Sequence, residues 1–297
     1  MRSLRNGERS LHLSPRLLAM RWGFIAPLAI LLGLVVAYPL GHSVWLSLTD
    51  FNILRQEQTQ FVGINQYVGL AHNSTYLAAL RNTFRFVFLA VLLELVVGLA
   101  LALALQPQRF ARNFTRSFLL TPMFVTPIAV GLMFRFLLNQ QLGPIPLLLD
   151  KAGIVINFFG PNLALLSMVM IDVWQWTPFM LLLMLAGLES LPPEPFEAAR
   201  VDGAGPWFTF SRVTLPLLRP VIAVAVLIRA LDAFKVFEYI FAITRGGPGT
   251  ATETIQLQVY KTGFQFFRLG EAAAMALVLV IVVLAMVTVL YRRLVLR

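Results

Sequence analysis

Residues 197–216 read EAARVDGAGPWFTFSRVTLP, a short charged stretch between two long apolar runs. Glu197, Ala198 and Ala199 begin a helix just after Pro192, Pro193 and Pro195, where missing N–H groups are tolerated and acidic side chains favour the positive end of the helix. Asp202-Gly203 breaks that helix. Pro206 restarts a second one through Trp207, Phe208 and Phe210, and Pro216 marks entry to the next apolar run. The pattern predicts a compact helix-turn-helix lying outside a bilayer.

The rest of the chain is suited to lipid. Of its 297 residues, 58% are hydrophobic and 13% charged, and the mean hydropathy is +0.77, far from the values of a soluble domain. Crossing the hydrocarbon layer takes about 20 mostly apolar residues, and six runs qualify: 24–46, 84–105, 117–138, 163–187, 217–243 and 271–291. The first exceeds an ordinary signal-peptide core and has no clear small-residue cleavage site after it, so it reads as a span. The resulting organisation is a tail over 1–22, one membrane domain over 23–292 with a connecting loop at 189–216, and a short C-terminus over 293–297.

Basic residues set the orientation. Fourteen lie on the side of the termini and the 189–216 loop: Arg2, Arg5, Arg9, Arg16 and Arg21; Arg109, Arg112 and Arg116; Arg200, Arg212 and Arg219; Arg292, Arg293 and Arg297. Six lie opposite: Arg55, Arg81, Lys151, Arg245, Lys261 and Arg268. The richer side is expected to be cytosolic. The net charge of +10 then reflects arginines beside anionic headgroups. A nucleic-acid partner is not indicated, because the basic residues are dispersed among membrane loops.

Other chemistries lack their residues. There is no cysteine, hence no disulfide or thiolate chemistry. His12, His42 and His72 have no metal-ligand spacing. Of three lysines only Lys261 precedes a threonine, and Tyr260 stands where a phosphate loop needs glycine. No cofactor is expected in this chain.

With spans and loop placed, the spacing Glu197-Ala198-Ala199, three residues to Gly203, then nine residues to Val213-Thr214-Leu215-Pro216 resembles the "EAA" coupling loop of ABC importer permeases, with Val213 where the family usually has isoleucine. Further landmarks resemble its carbohydrate-uptake branch, the relatives of the maltose transporter permeases: Phe61-Val62-Gly63-Ile64-Asn65-Gln66-Tyr67, Arg81-Asn82-Thr83, Trp174 with Pro178-Phe179, and Gly246-Gly247-Pro248. The likeness runs over roughly residues 24–291.

It implies an all-α membrane protein of six transmembrane helices, the type I ABC importer permease fold, in a bacterial inner membrane with both termini and the coupling helices cytosolic. Coupling to an ATPase would fall on Glu197, Ala198, Ala199, Asp202, Gly203, Ala204, Leu215 and Pro216. The implied partners are a second homologous permease, two ATPase subunits holding ATP-Mg, and an extracytoplasmic solute-binding protein. The implied solute is a sugar, polyol, disaccharide or glycoside.

The spans carry polar residues that lipid penalises. Glu94, Asp172, Arg85 and Arg135 are scattered, whereas Arg229, Asp232, Lys235 and Glu238 recur every three residues with alternating sign, so neighbours on a helix can pair. Four central charges cost roughly 10–14 kcal/mol before pairing. The apolar residues of that run return only about 4–8 kcal/mol. All-round lipid exposure of this span is excluded. Structural pairing is the favoured role of at least two ladder residues, and a polar pathway for a hydroxyl-rich solute is the competing one.

Asp172-Val173-Trp174-Gln175-Trp176 offers carboxylate, amide and indole groups suited to a sugar, with interfacial anchoring the competing role for Trp174. The maltose-permease resemblance places cavity-facing positions on Met123, Pro127, Asp172, Gln175, Trp176, Arg229 and Ala233, to which the ladder adds Asp232. Several side-chain types differ there, which leaves the solute open. An ion-coupled carrier using Asp172, Asp232 or Glu238 is the alternative, and a purely structural subunit a third. Neither accounts for the loop spacing.

The orientation is checked by single cysteines at Asn6, Ser211 and Asn73. In intact cells an impermeant thiol reagent is expected to label only the last. Labelling at Ser211 without permeabilisation would reverse the topology.

Overall fold

The computed structural model describes residues 15–106 and 112–294. Of the positions used for orientation, Arg2, Arg5, Arg9, Arg109 and Arg297 lie outside the described residues, as does most of the 1–22 tail. Among the described residues there is no sheet, only two isolated bridges, Thr49 with Phe61 and Asn52 with Arg268. Among the described residues five helices are long and apolar enough to cross a membrane: Ile25–Ser47, Ser74–Leu105, Ala164–Glu189, Pro206–Ile243 and Leu269–Val289. The pair Ser117–Phe124 and Pro127–Leu137, bent by 98°, makes the sixth when taken as one span. In chain order these are the first to sixth spans, the bent pair being the third.

Two departures from the expected spans have local causes. The 117–138 run is not straight, because Pro122 and Pro127 withhold N–H groups and the chain between the two helices turns extended at Val125 and Thr126. A break at membrane depth leaves carbonyls that lipid cannot satisfy. Gln175 of the fourth span supplies the missing donor, its Nε2 lying 2.8 Å from the Val125 carbonyl.

The fifth span is longer than 217–243 and is not interrupted at Pro216. Its helix begins at Pro206 and passes through a π turn, Phe210–Thr214, into Leu215–Ala233. The widened turn, with Leu215 N donating to Phe210 O, accommodates a proline that has no N–H to give. The helix then breaks over 234–237 and resumes as Glu238–Ile243. The charge ladder is therefore not one continuous stripe: Lys235 and Glu238 lie beyond the helix that carries Arg229 and Asp232.

The second and fourth spans form the most extensive helix pair. Their approach depends on Gly98, where a Cβ would stand 2.7 Å from Met180 Cβ. Phe86, Met168, Met184 and Ile240 are buried in the resulting core. The first span contributes little to it and meets the sixth through Tyr38–Ser47, leaving Leu28, Leu31 and Leu34 exposed.

Two landmarks more than 160 residues apart in sequence meet at one end of the bundle. Asn82 Nδ2 donates to the carbonyls of Thr250 (2.7 Å) and Glu253 (3.1 Å), and Ile255 N donates to Thr83 Oγ1 (3.0 Å). Glu253, itself buried, pairs with Lys261 at 2.7 Å. The Arg81-Asn82-Thr83 landmark thus anchors the loop that carries Gly246-Gly247-Pro248.

Asn82→Ala removes the donor shared by the Thr250 and Glu253 carbonyls, the latter bond buried, at a cost of about 1–3 kcal/mol. Amide exchange over 250–255 is expected to accelerate while exchange in the helix pair of the core stays slow. Unchanged exchange across the loop would show that Asn82 does not hold it.

Candidate functional site

Two sites emerge, one between the fourth and fifth spans and one inside the bundle. The first is the 189–216 loop. Pro193 caps a helix Glu194–Val201 whose first turn holds Glu194 and Glu197. It closes with Gly203 N donating to Arg200 O (3.1 Å) and Ala204 N to Ala199 O (2.9 Å), the paired bonds of a Schellman turn. Gly203 sits at φ +71° with no atom within 4 Å of where a Cβ would stand. Its constraint is the left-handed backbone, with open space where a side chain would stand.

Pro206 then opens the helix that becomes the fifth span. Ala199 is buried, whereas Glu197, Ala198 and Asp202 are exposed. Val201 and Trp207 are 87% and 76% exposed, with Trp207 leaning on Phe210. Beside them lies a cavity of 430 Å³ between Phe196, Arg200, Ala204 and Phe210. Val201 and Trp207 share this loop with exposed Glu197, Arg200 and Asp202. Leu215 and Pro216, in the same sequence motif, lie a helical turn or more further along, in the spanning helix itself.

The second site is built around Arg229, buried in the fifth span. Its Nε lies 2.8 Å from Glu94 Oε2, an ion contact outside hydrogen-bond alignment, and its Nη2 donates to Glu94 Oε1 at 3.0 Å. The same Nη2 bonds Asp172 Oδ2, and Nη1 reaches Asp232 Oδ2 at 3.1 Å. Asp172 Oδ1 accepts the Tyr239 hydroxyl at 2.6 Å, and that hydroxyl accepts the Trp176 indole N–H at 3.1 Å. The guanidinium lies over the Trp176 ring, 5.1 Å from its centre. One cation therefore joins the second, fourth and fifth spans and the short helix Glu238–Ile243.

A cavity of 170 Å³ opens beside this cluster. It gathers Pro127, Asp172, Trp176, Arg229, Asp232 and Ala233, and adds Lys235, Glu238 and Tyr239. Met123 and Gln175 do not line it. Gln175 is fully buried and committed to the break in the third span. Asp172 borders the cavity, yet both its oxygens are engaged by Arg229 and Tyr239, so it is a holder of the cluster more than a free acceptor.

Arg229 and Asp232 form an i,i+3 pair. Lys235, within the helix break, and Glu238, just past it, have no ion-pair partner among the described residues. Trp174 points away from this cavity and meets Phe134 edge to face. The sequence reading missed Glu94 and Tyr239 as members of the cluster. A lone carboxylate in an apolar span calls for a buried cation, a signal available for Glu94; Tyr239 carried none.

Comparison with known proteins follows the same lines. The family model described as "Binding-protein-dependent transport system inner membrane component" matches residues 94–297. A probable ABC transporter permease of Sinorhizobium fredii is 36% identical over 88% of this chain and 85% of its own length. The sulfoquinovosyl glycerol transport permease SmoG of Agrobacterium fabrum is 32% identical over 91% and 88%, and the trehalose/maltose transport permease MalF of Thermococcus litoralis 33% over 83% of each. Among solved structures, a chain of a bacterial alginate ABC transporter, crystallised with an alginate pentasaccharide-bound periplasmic protein, superposes with a TM-score of 0.79 at 24% identity, covering 93% of this chain and 94% of that one. At that identity the likeness bears on fold alone.

Tyr239→Phe removes one hydroxyl and unpairs both Asp172 Oδ1 and the Trp176 N–H, an expected loss of about 1–3 kcal/mol. Arg229→Met strands two buried carboxylates and is expected to cost more, about 3–5 kcal/mol. Thermal unfolding of the detergent-solubilised protein is expected to rank Arg229→Met below Tyr239→Phe below wild type. A wild-type midpoint for Arg229→Met would overturn the description of the cluster as the tie between spans.

Proposed function

Because this chain belongs to the family of binding-protein-dependent transport system inner membrane components, we propose that it is one half of the membrane pathway of an ATP-driven importer for a sugar or sugar-like solute. It is a multi-pass permease subunit, not an enzyme, and the ATP-Mg would be held by separate ATPase subunits. A second homologous permease completes the pathway, and an extracytoplasmic binding protein delivers the solute and supplies most of the discrimination. Both termini and the 189–216 loop face the cytosol.

The observation that carries this reading is the exposed loop surface. Val201 and Trp207 project from either side of a Schellman-closed turn, and the helix that carries Trp207 runs through a π turn to Arg229. Force applied to that turn by an ATPase would reach the intramembrane cluster through helix and π turn alone. The sugar class is supported by the names of the relatives and by the indole and polar groups beside the 170 Å³ cavity. That volume is below the roughly 300–1,000 Å³ of a complete small-molecule site, as suits a pathway finished by a second subunit. An ion-coupled carrier is not favoured, since it leaves the spacing of the 189–216 loop unaccounted for and Asp172 has both oxygens engaged by protein groups.

The test is uptake into proteoliposomes holding the complex with its ATPase and binding protein, using radiolabelled trehalose and maltose as probes. ATP-dependent, vanadate-sensitive uptake is expected, and uptake driven by an ion gradient without ATP would sink the reading. Gly203→Asp puts a side chain on a left-handed backbone at about 1–2 kcal/mol, and Glu197→Lys reverses charge at a helix start. Both variants are expected to remain in the membrane with transport lost and hydrolysis no longer stimulated by loaded binding protein. Wild-type stimulation in both would remove the coupling assignment.

A further inference from the structure

The cavity beside Arg229 carries more acid than base, and we propose that it admits neutral or cationic glycosides and turns away anionic ones. This rests on the sugar-permease reading and narrows its substrate class. Five charged side chains border the cavity: Asp172, Asp232 and Glu238 against Arg229 and Lys235.

The guanidinium is the group that would ordinarily receive a sulfonate or carboxylate, through two parallel N–H bonds. Here all three of its nitrogens already face carboxylates of Glu94, Asp172 and Asp232. No two-pronged donor face is left for a solute.

The groups that remain available are unequal in the same sense. Asp232 gives one oxygen to Arg229 and keeps about half its side chain exposed, 48%. Lys235, within the helix break, and Glu238, just past it, are exposed as well. Two carboxylates against one ammonium accept hydroxyl and ammonium protons and repel an anion. In a cleft lined by one sign of charge, one net charge a few ångströms away changes local ion occupancy by about tenfold.

The field can be read without knowing the solute. The chain has no cysteine, so Ala233→Cys places the subunit's single thiol on the cavity wall, with Val236→Cys as a second position should the first not assemble. In the intact complex, modification by a trimethylammonium-ethyl and a sulfonato-ethyl methanethiosulfonate is followed by mass spectrometry of this subunit, each rate divided by that of free cysteine. The cationic reagent is expected to react about tenfold faster, and Asp232→Asn with Glu238→Gln to bring the two rates together.

Equal rates in the parent, a faster anionic reagent, or no reaction at either position would overturn the proposal. So would a cationic preference that survives the double substitution, since its source would then lie outside this chain. Trehalose uptake measured on the same preparations separates the two readings: equal rates beside intact uptake remove only the charge preference, whereas a cationic preference without ATP-driven uptake of either probe removes only the sugar reading.

Discussion

A single guanidinium buried among helices constrains this molecule more than any other group. Taking Arg229 out of water costs several kcal/mol that attraction alone recovers only with good geometry, and lipid offers no fallback. The chain answers by bringing Glu94 from the second span and Asp172 from the fourth to the same cation, with Asp232 one turn away. Since the three spans must be in register for those contacts to exist, the cluster specifies how they are rotated about their axes. An apolar core of similar shape would tolerate several rotations.

The same logic governs the places where the spans are irregular. The third is broken between its two helices, the fifth is widened at 210–214 and broken at 234–237. The two breaks are each met by a polar side chain from elsewhere: Gln175 donates to the Val125 carbonyl, and Thr254 Oγ1 donates to the Val236 carbonyl. Backbone that is neither helix nor strand survives at membrane depth only when buried in protein or bordering a cavity. Here both conditions meet, and the cavity beside Arg229 lies where the fifth span comes apart.

These contacts form a continuous mechanical path. The loop anchored by Asn82 leads into Glu238–Ile243, whose Tyr239 hydroxyl holds Asp172. Asp172 holds Arg229, and the helix of Arg229 runs unbroken through the π turn to Pro206 and the exposed Trp207. A network of directional bonds has few alternative arrangements, so this path is the one by which the proposed coupling would reach the cluster.

What the sequence by itself determined is whatever depends on local pattern. Apolar run length set the number of spans, proline and glycine set the limits of the Glu194–Val201 helix and the turn at Gly203, and the spacing from Glu197 to Pro216 pointed to the family. These are short-range effects, written into neighbouring residues. The tertiary structure alone decided that Gln175 repairs the third span, that Asp172 spends both oxygens on protein groups, that Glu94 and Tyr239 join Arg229, and that Asn82 secures a loop some 170 residues away. No local pattern announces such pairings, because an unsatisfied polar atom in a span specifies only that a partner must exist; which residue supplies it depends on how the helices are packed and rotated against one another.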